Sequence, residues 1–309
     1  MNTVEGSAIP SSSDAARTRF VVIGDVIDDI VVRSDSEIRP DTDTDAVIEL
    51  RPGGSGANVA AWLGWLGGAV RFVGTVGGTD VAVHSAHLAE HGARSSLASS
   101  DGPTGRIVVI ASGQTRSMLT SRGANLETLP SQVTDALLAD ADHLHISGYS
   151  IFNGDGDEWA ALIARAHAAG LTVSVDPSSA GYLRDYGVSR FLEVIQEADI
   201  VLPNLDEGRT LTGQEEPEAI AAALSAIFPL IALTLGPRGA LIAEGGSTVL
   251  VPTTPSAAMV DATGAGDAFA AGFLLARAAG STLSEAATAG HRAAGRAVQH
   301  AGGRPEHQS

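Results

Sequence analysis

Residues 261–273 read DATGAGDAFAAGF. Glycine frees the backbone for turns that other side chains forbid, and a helix that starts right after such a turn points its unpaired N–H groups back into it. The consecutive amides of Gly264, Ala265, Gly266 and Asp267, at a predicted helix start, make a place that attracts anions. Fixed dipoles there suit the negative charge that develops on a transferred phosphoryl group. A carboxylate at Asp267 stands where it can take the proton from an attacking hydroxyl. Helix capping alone also accounts for such a turn, so the rest of the chain has to decide between the two readings.

Working outward, FVVIG (20–24) is a short apolar, β-branched run ending in glycine, as a buried strand does. From residue 69 onward, strand-like runs such as VRFVG, HLHIS, LTVSVD, DIVLPN and LIALTLG alternate with helical stretches near 80–91, 157–169 and 188–197. That rhythm implies parallel βαβ units, hence an α/β fold: a mostly parallel central sheet with helices on both faces. Two regions break it, about 30–50 and 104–120, each a pair of short extended runs expected to pair antiparallel and form a small β-sheet lid. The chain then divides into a flexible N-terminal tail (1–19), one α/β domain (20–303) carrying the lid, and a C-terminal tail (304–309). Trp62, Leu63, Trp65 and Leu66 fall at helical spacing and are assigned to the core. The Asp-rich stretch DSEIRPDTDTD reads as a solvated loop, His84, His87 and His91 as a solvated helix face, and His143 and His145 as sheet packing.

Composition removes whole classes of function. A net charge of −17 and a pI near 4.8 repel nucleic acid and anionic membrane surfaces. With no cysteine there is no disulfide framework, thiolate nucleophile or cysteine-bound zinc. The 19 basic residues are all arginine, which removes Walker-type P-loop, protein-kinase and Schiff-base chemistry, all of which need a lysine amine. Phosphate chemistry here must rest on backbone amides, arginine and metal. No GxGxxG follows the first strand, against a nicotinamide-dependent dehydrogenase. The polar, Ser-rich start has no signal-peptide core and no stretch has the length of a membrane span, so the expected location is the cytoplasm.

DATGAGDAFAAGF resembles the C-terminal signature of the ribokinase/PfkB carbohydrate kinases, and PGGSGANVA (52–60) resembles their N-terminal signature. VLPNLDEGRTLTG (201–213) is similar to the family's Asn-x-x-Glu segment, and LTLGPRGALI (233–242) to its nucleotide-binding strand and loop. The four motifs come in the family's order, and the likeness covers about 20–303. The resemblance implies a ribokinase-like fold and ATP-dependent phosphorylation of a hydroxymethyl group on a small sugar or polyol, with Mg²⁺. By the same resemblance Asp267 is the base and Gly264, Ala265 and Gly266 complete the anion hole. Asp29, Gly53, Gly54 and Asn58 meet the acceptor, with Asp29 gripping its hydroxyls. Asn204, Thr234, Gly236, Gly239, Gly266 and His291 face the nucleotide, while Glu207 acts with Asn204 on phosphate, water and Mg²⁺. Asp261 and Thr263 match positions that bind K⁺ in potassium-activated relatives.

Two positions depart from ribokinase itself: Ile27 stands where Asn is common, and Ser55 where ribokinase has Lys in GGKGAN. Both fall on the acceptor side and argue against ribose. A nucleoside kinase of the same family is the alternative, and a sugar sensor without turnover is a further one. The expected partner is a small sugar or nucleoside, with the lid strands able to pair two copies into a homodimer. Arg116 and Arg122 border the lid as candidates for an acidic or phosphorylated acceptor.

Overall fold

The computed structural model describes residues 18–34, 36–112, 115–253 and 259–306, without the side chains of 111, 112, 115 and 116. Its strands in chain order are β1 (Arg19–Ile23), β2 (Ile27–Ser34), β3 (Val47–Gly53), β4 (Ala69–Gly77), β5 (Ala93–Ser100), β6 (Gly105–Ser112), β7 (Thr115–Ser121), β8 (His143–Ser147), β9 (Thr172–Asp176), β10 (Ile200–Val201), β11 (Leu230–Thr234), β12 (Ala240–Glu244) and β13 (Ser247–Val251). The helices are α1 (Ser55–Trp65), α2 (Val81–Glu90), α3 (Asp135–Ala139), α4 (Gly148–Ile151), α5 (Gly156–Ala168), α6 (Ala180–Tyr186), α7 (Val188–Val194), α8 (Leu205–Thr212), α9 (Pro217–Ser225), α10 (Ala265–Ala278) and α11 (Leu283–Ala297).

Nine strands form the main sheet in the order β13-β12-β11-β10-β9-β8-β1-β4-β5. All its pairings are parallel except the β11–β12 and β12–β13 edge. Alternate residues of β1 explain why both faces need cover: Val21 and Ile23 point to one apolar core, Phe20 and Val22 to the other. The first core is completed by α5, α7 and α9 through Trp159, Phe191 and Leu224. The second is completed by α1, α10 and α11 through Trp62, Phe273 and Ala286. A strand buried on both faces reads as a continuous apolar run, which FVVI is.

One serine joins two buried histidines inside the sheet. His143 Nε2 and His145 Nδ1 each lie 2.8 Å from the Ser174 hydroxyl. Burial drives the two rings to pKa values of about 3 and about 4, so both are neutral at pH 7. The solvated-face reading of the other histidines fails at His84 and His91, both buried, and His84 faces Asp28 Oδ1 at 3.5 Å.

The second sheet has four strands in the order β3-β2-β6-β7 and is the small separate sheet expected from the two stretches that break the βα rhythm. Its halves pair antiparallel as expected, β2 with β3 and β6 with β7, but the two halves join through a parallel β2–β6 seam. Both chain ends differ from the expected tails. Arg19 already belongs to β1 and pairs with Asp140 and Asp142; the rest of that expectation, apart from Thr18, falls on 1–17, outside the described residues. Arg304 and Pro305 are buried, so the ordered domain runs past 303.

Candidate active site

A cavity of about 430 Å³ opens at the carboxyl ends of the central strands, between the lid and the starts of α1 and α10. Clefts at this end of a parallel sheet are where α/β proteins bind ligands, because strand ends and helix N-termini converge there. The approach of β1 to α1 is set by Gly24 and Gly56: a Cβ on Gly24 would lie 2.6 Å from the Gly56 Cα. Helix α10 begins at Gly264, whose φ of 73° is left-handed and whose missing side chain leaves room for the Gly303 backbone.

The amides of that start are not equivalent. Ala268 N donates to Gly264 O at 2.9 Å and closes the first turn. Ala265, expected in the anion hole, donates to Ala262 O at 3.3 Å and is turned into the preceding loop. Gly266 and Asp267 have N–H groups without an acceptor among the described residues, at the positive end of a 14-residue helix.

The Asp267 carboxylate is held from two sides by α1. Ser55 Oγ donates to Oδ1 at 2.8 Å and Asn58 Nδ2 donates to Oδ2 at 2.9 Å. Protein surrounds the carboxylate at the cavity floor, and this loss of hydration pushes its pKa up to about 7; the bonds from Asn58 and Ser55 oppose the rise, while Asp176 and Asp25 add to it. Ser55, a departure from ribokinase, thus replaces a cation with a neutral donor to Asp267.

Glu207 and Asn204 form a capping box at the start of α8. Glu207 N donates to Asn204 Oδ1 and Asn204 N donates to Glu207 Oε2, both at 2.9 Å. Asn204 Nδ2 adds a bond to Glu207 Oε1 at 2.6 Å. Burial raises the Glu207 pKa to about 7 despite these bonds, and burial with the Glu207 charge raises Asp176 well above the usual carboxylate range. Among the described lining residues the charged side chains are all acidic. The site lacks positive charge that a divalent cation would bring.

The structure brings Asp29, Gly54 and Asn58, expected to meet the acceptor, together with Asn204, Thr234 and Thr263 across the same cavity. Gly53 lies just behind, packed against the Asp29 carboxylate. Asp261 also stands behind the wall, where Oδ1 accepts from Thr263 N and Oγ1, at 3.0 and 2.8 Å. Gly236 and Gly239 flank the 3₁₀ turn after β11 and do not line the cavity. His291 is half-buried edge-on to Phe269, 5.2 Å between ring centres, and it is Phe269 that reaches the cavity. Arg122 donates to Tyr149 O at 2.7 Å and lies over the Tyr182 ring; the Arg116 side chain is outside the described residues.

Sequence reasoning missed four groups. Asp25 accepts from Ser55 N, Gly56 N and Ser147 Oγ at 2.9, 3.0 and 3.0 Å, and so fastens α1 to β8 at the cavity wall. Its position directly after a strand-ending glycine was an available signal. Tyr149, Asp176 and Ser178 reach the cavity from the ends of β8 and β9, whose motifs nothing local marks.

The geometry agrees with the comparisons. The pfkB family carbohydrate kinase model matches residues 17–308, and the chain belongs to that family. It is 32% identical over 258 residues to a 1-phosphofructokinase of Rhodobacter capsulatus, covering 78% of each chain. It is 30% identical over 271 residues to an ATP-dependent ribose-1-phosphate kinase of Halopiger xanaduensis, covering 83% of each. The solved adenosine kinase of Sinorhizobium meliloti superposes with a TM-score of 0.82 at 28% identity, over 94% of this chain and 96% of that one. The ribokinase-like α/β fold and membership among ATP-dependent carbohydrate kinases follow.

Proposed function

We propose that this kinase moves the γ-phosphoryl group of ATP to a hydroxymethyl group of a small sugar or related polyol, with Asp267 as base. The observation that carries the reading is the Asp267 carboxylate, held by Ser55 and Asn58 and raised to about 7, beside two unengaged amides at the start of α10. An acceptor hydroxyl gives its proton to Asp267 as its oxygen bonds to phosphorus; the bond to the ADP oxygen breaks, and the Gly266 and Asp267 amides receive the charge on the moving group. Asp29 and Asn58 orient the acceptor, and Asp25 keeps α1 in place beneath it. The lid strands exclude water and so suppress hydrolysis of ATP.

Thr234, Asn204 and the turn with Gly236 and Gly239 form the nucleotide side, with His291 behind Phe269 nearest the adenine. The acidic, oxygen-only donor set suits Mg²⁺, and Glu207 with Asn204 would hold it through water and phosphate, since no group of three ligating side chains exists among the described residues. When bound, Mg²⁺ supplies charge neutralisation on the phosphates. Asp261 and Thr263 are the pair that would face K⁺. The lid's outer face supports a homodimer: Leu50, Ile30, Val108 and Leu119 fall in one cross-strand row, with Leu50 70% and Leu119 62% exposed. No helix among the described residues is long and apolar enough to cross a membrane, in keeping with the proposed cytoplasmic location.

A nucleoside acceptor is the second reading. Ile107, Val109 and Met118 give the cavity an apolar lid wall that suits a base. ADP release by the full chain with ATP and Mg²⁺, across D-ribose, D-fructose, fructose 1-phosphate and adenosine, separates the readings. Turnover with a neutral sugar is expected. Activity confined to adenosine replaces the sugar reading, and sugar binding without ADP release makes the chain a sensor. Sedimentation of the same preparation tests the dimer, a monomer removing it.

A further inference from the structure

Residues 301–304 are tied to three parts of the site at once. Arg51 Nη1 on β3 donates to Ala301 O at 2.9 Å, Gly302 N donates to Asp261 Oδ2 at 3.2 Å, and Trp62 Nε1 on α1 donates to Gly303 O at 2.9 Å. Arg304 Nη2 donates to Gly53 O at 3.1 Å. Arg304 is 6% exposed, and its Nε and Nη1 have no hydrogen-bond partner among the described residues. A buried cation with idle donors is costly, several kcal/mol for an ion left uncompensated, so something must balance it. Burial pulls its pKa down to about 10, and the opposing attraction comes first from Asp29, then from Asp28 and Glu90. Asp28 is itself turned to His84 and Arg106, at 3.5 and 4.0 Å. Asp29 and Arg304 meet across one residue: the Asp29 carboxylate packs on the Cα of Gly53 while Arg304 takes its carbonyl.

We propose that Arg304 is a positioning residue for acceptor recognition: from behind the cavity, its charge and its bond to Gly53 hold the Asp29 carboxylate in place against the acceptor hydroxyls. The inference rests on Asp29 being the acid that grips the acceptor. Arg304 touches neither substrate, so its loss weakens acceptor binding and leaves the phosphoryl-transfer corner at Asp267 intact.

The test is steady-state kinetics of the full chain with the fastest acceptor among D-ribose, D-fructose, fructose 1-phosphate and adenosine. Arg304→Met raises the acceptor KM at least about tenfold, with kcat and the KM for ATP held within about twofold. Arg304→Lys, which keeps the charge, recovers part of the loss. In an Asp29→Asn background, Arg304→Met adds nothing further, because the group it acts through is gone. Where Arg304→Met does not fold, the same cycle is run with Arg304→Lys. An unchanged acceptor KM, a parallel loss of kcat and both KM values, or additive effects with Asp29→Asn overturns the inference. A wild-type chain that turns over no acceptor overturns the kinase reading and this inference with it. Turnover with additive effects overturns the inference alone.

Discussion

The two ends of the main sheet carry cavities of similar size, about 430 Å³ at the carboxyl ends of the strands and about 460 Å³ at the amino ends. Their charges are handled in opposite ways. At the amino end every carboxylate on the wall has a basic partner: Asp142 with Arg19 at 3.1 Å, Asp199 with His167 at 3.0 Å, Glu244 with Arg277 at 2.9 Å. Asp142 accordingly sits below its ordinary pKa, through its hydrogen bonds from Arg19. At the carboxyl end Asp267 and Glu207 are raised to about 7 and Asp176 well above the usual carboxylate range, chiefly by burial. Volume therefore does not mark the site; uncompensated charge does, because a group held away from its ordinary pKa stores free energy that a ligand or a proton releases.

Breaking the carboxyl end at its centre gives the largest effect. Asp267→Asn lowers kcat by at least about 10² to 10⁴, with nucleotide affinity kept, as titration with an ATP analogue measures. The wild-type kcat/KM falls about tenfold per pH unit below about 7, as Asp267 takes up its proton. Asn58→Ala sharpens the point: losing a donor to the ionised carboxylate raises the Asp267 pKa further, and this acid limb moves up by about one pH unit. Stability changes with the opposite sign. A carboxyl group with a raised folded-state pKa contributes in acid, and that contribution is lost as pH rises from about 4 through about 7. Asp267→Asn thus stabilises the free protein at pH 8 by on the order of 1 to 2 kcal/mol and leaves it unchanged below about pH 4, read from thermal midpoints. The amino end responds least: Arg277→Met costs no more than about 1 kcal/mol, because the pair with Glu244 is partly solvated, and turnover stays at the wild-type rate.

What could be read in the sequence followed distance along the chain. Strand and helix rhythm is local, so the α/β body and both lid ribbons were legible from hydrophobic period. Gly264 to Asp267 was legible because turn, amides and acid lie within one helical turn. Asp29 and Asn58 were legible only through resemblance, and their surroundings were not. The bonds that give Asp267 its character come from residues 212 and 209 positions away. Asp25 meets Ser147 across 122 positions, and Arg304 meets Gly53 across 251. A polar tail in the sequence becomes a buried brace only when a distant glycine supplies the acceptor, and no local pattern encodes that.

The parallel seam of the lid has a consequence for assembly. Ile27 pairs with Gly105 at its start, and between these two residues the chain builds α1, β4, α2 and β5. Each antiparallel ribbon can form early, but the seam closes only after that half of the body has brought the ribbons side by side, since long-range parallel pairing bears its loop entropy first. The cover of the cavity is thereby the late-folding part of the chain, and amides of β6 gain protection from exchange after those of β1. A nascent chain thus lacks a closed cover until α1, β4, α2 and β5 have formed.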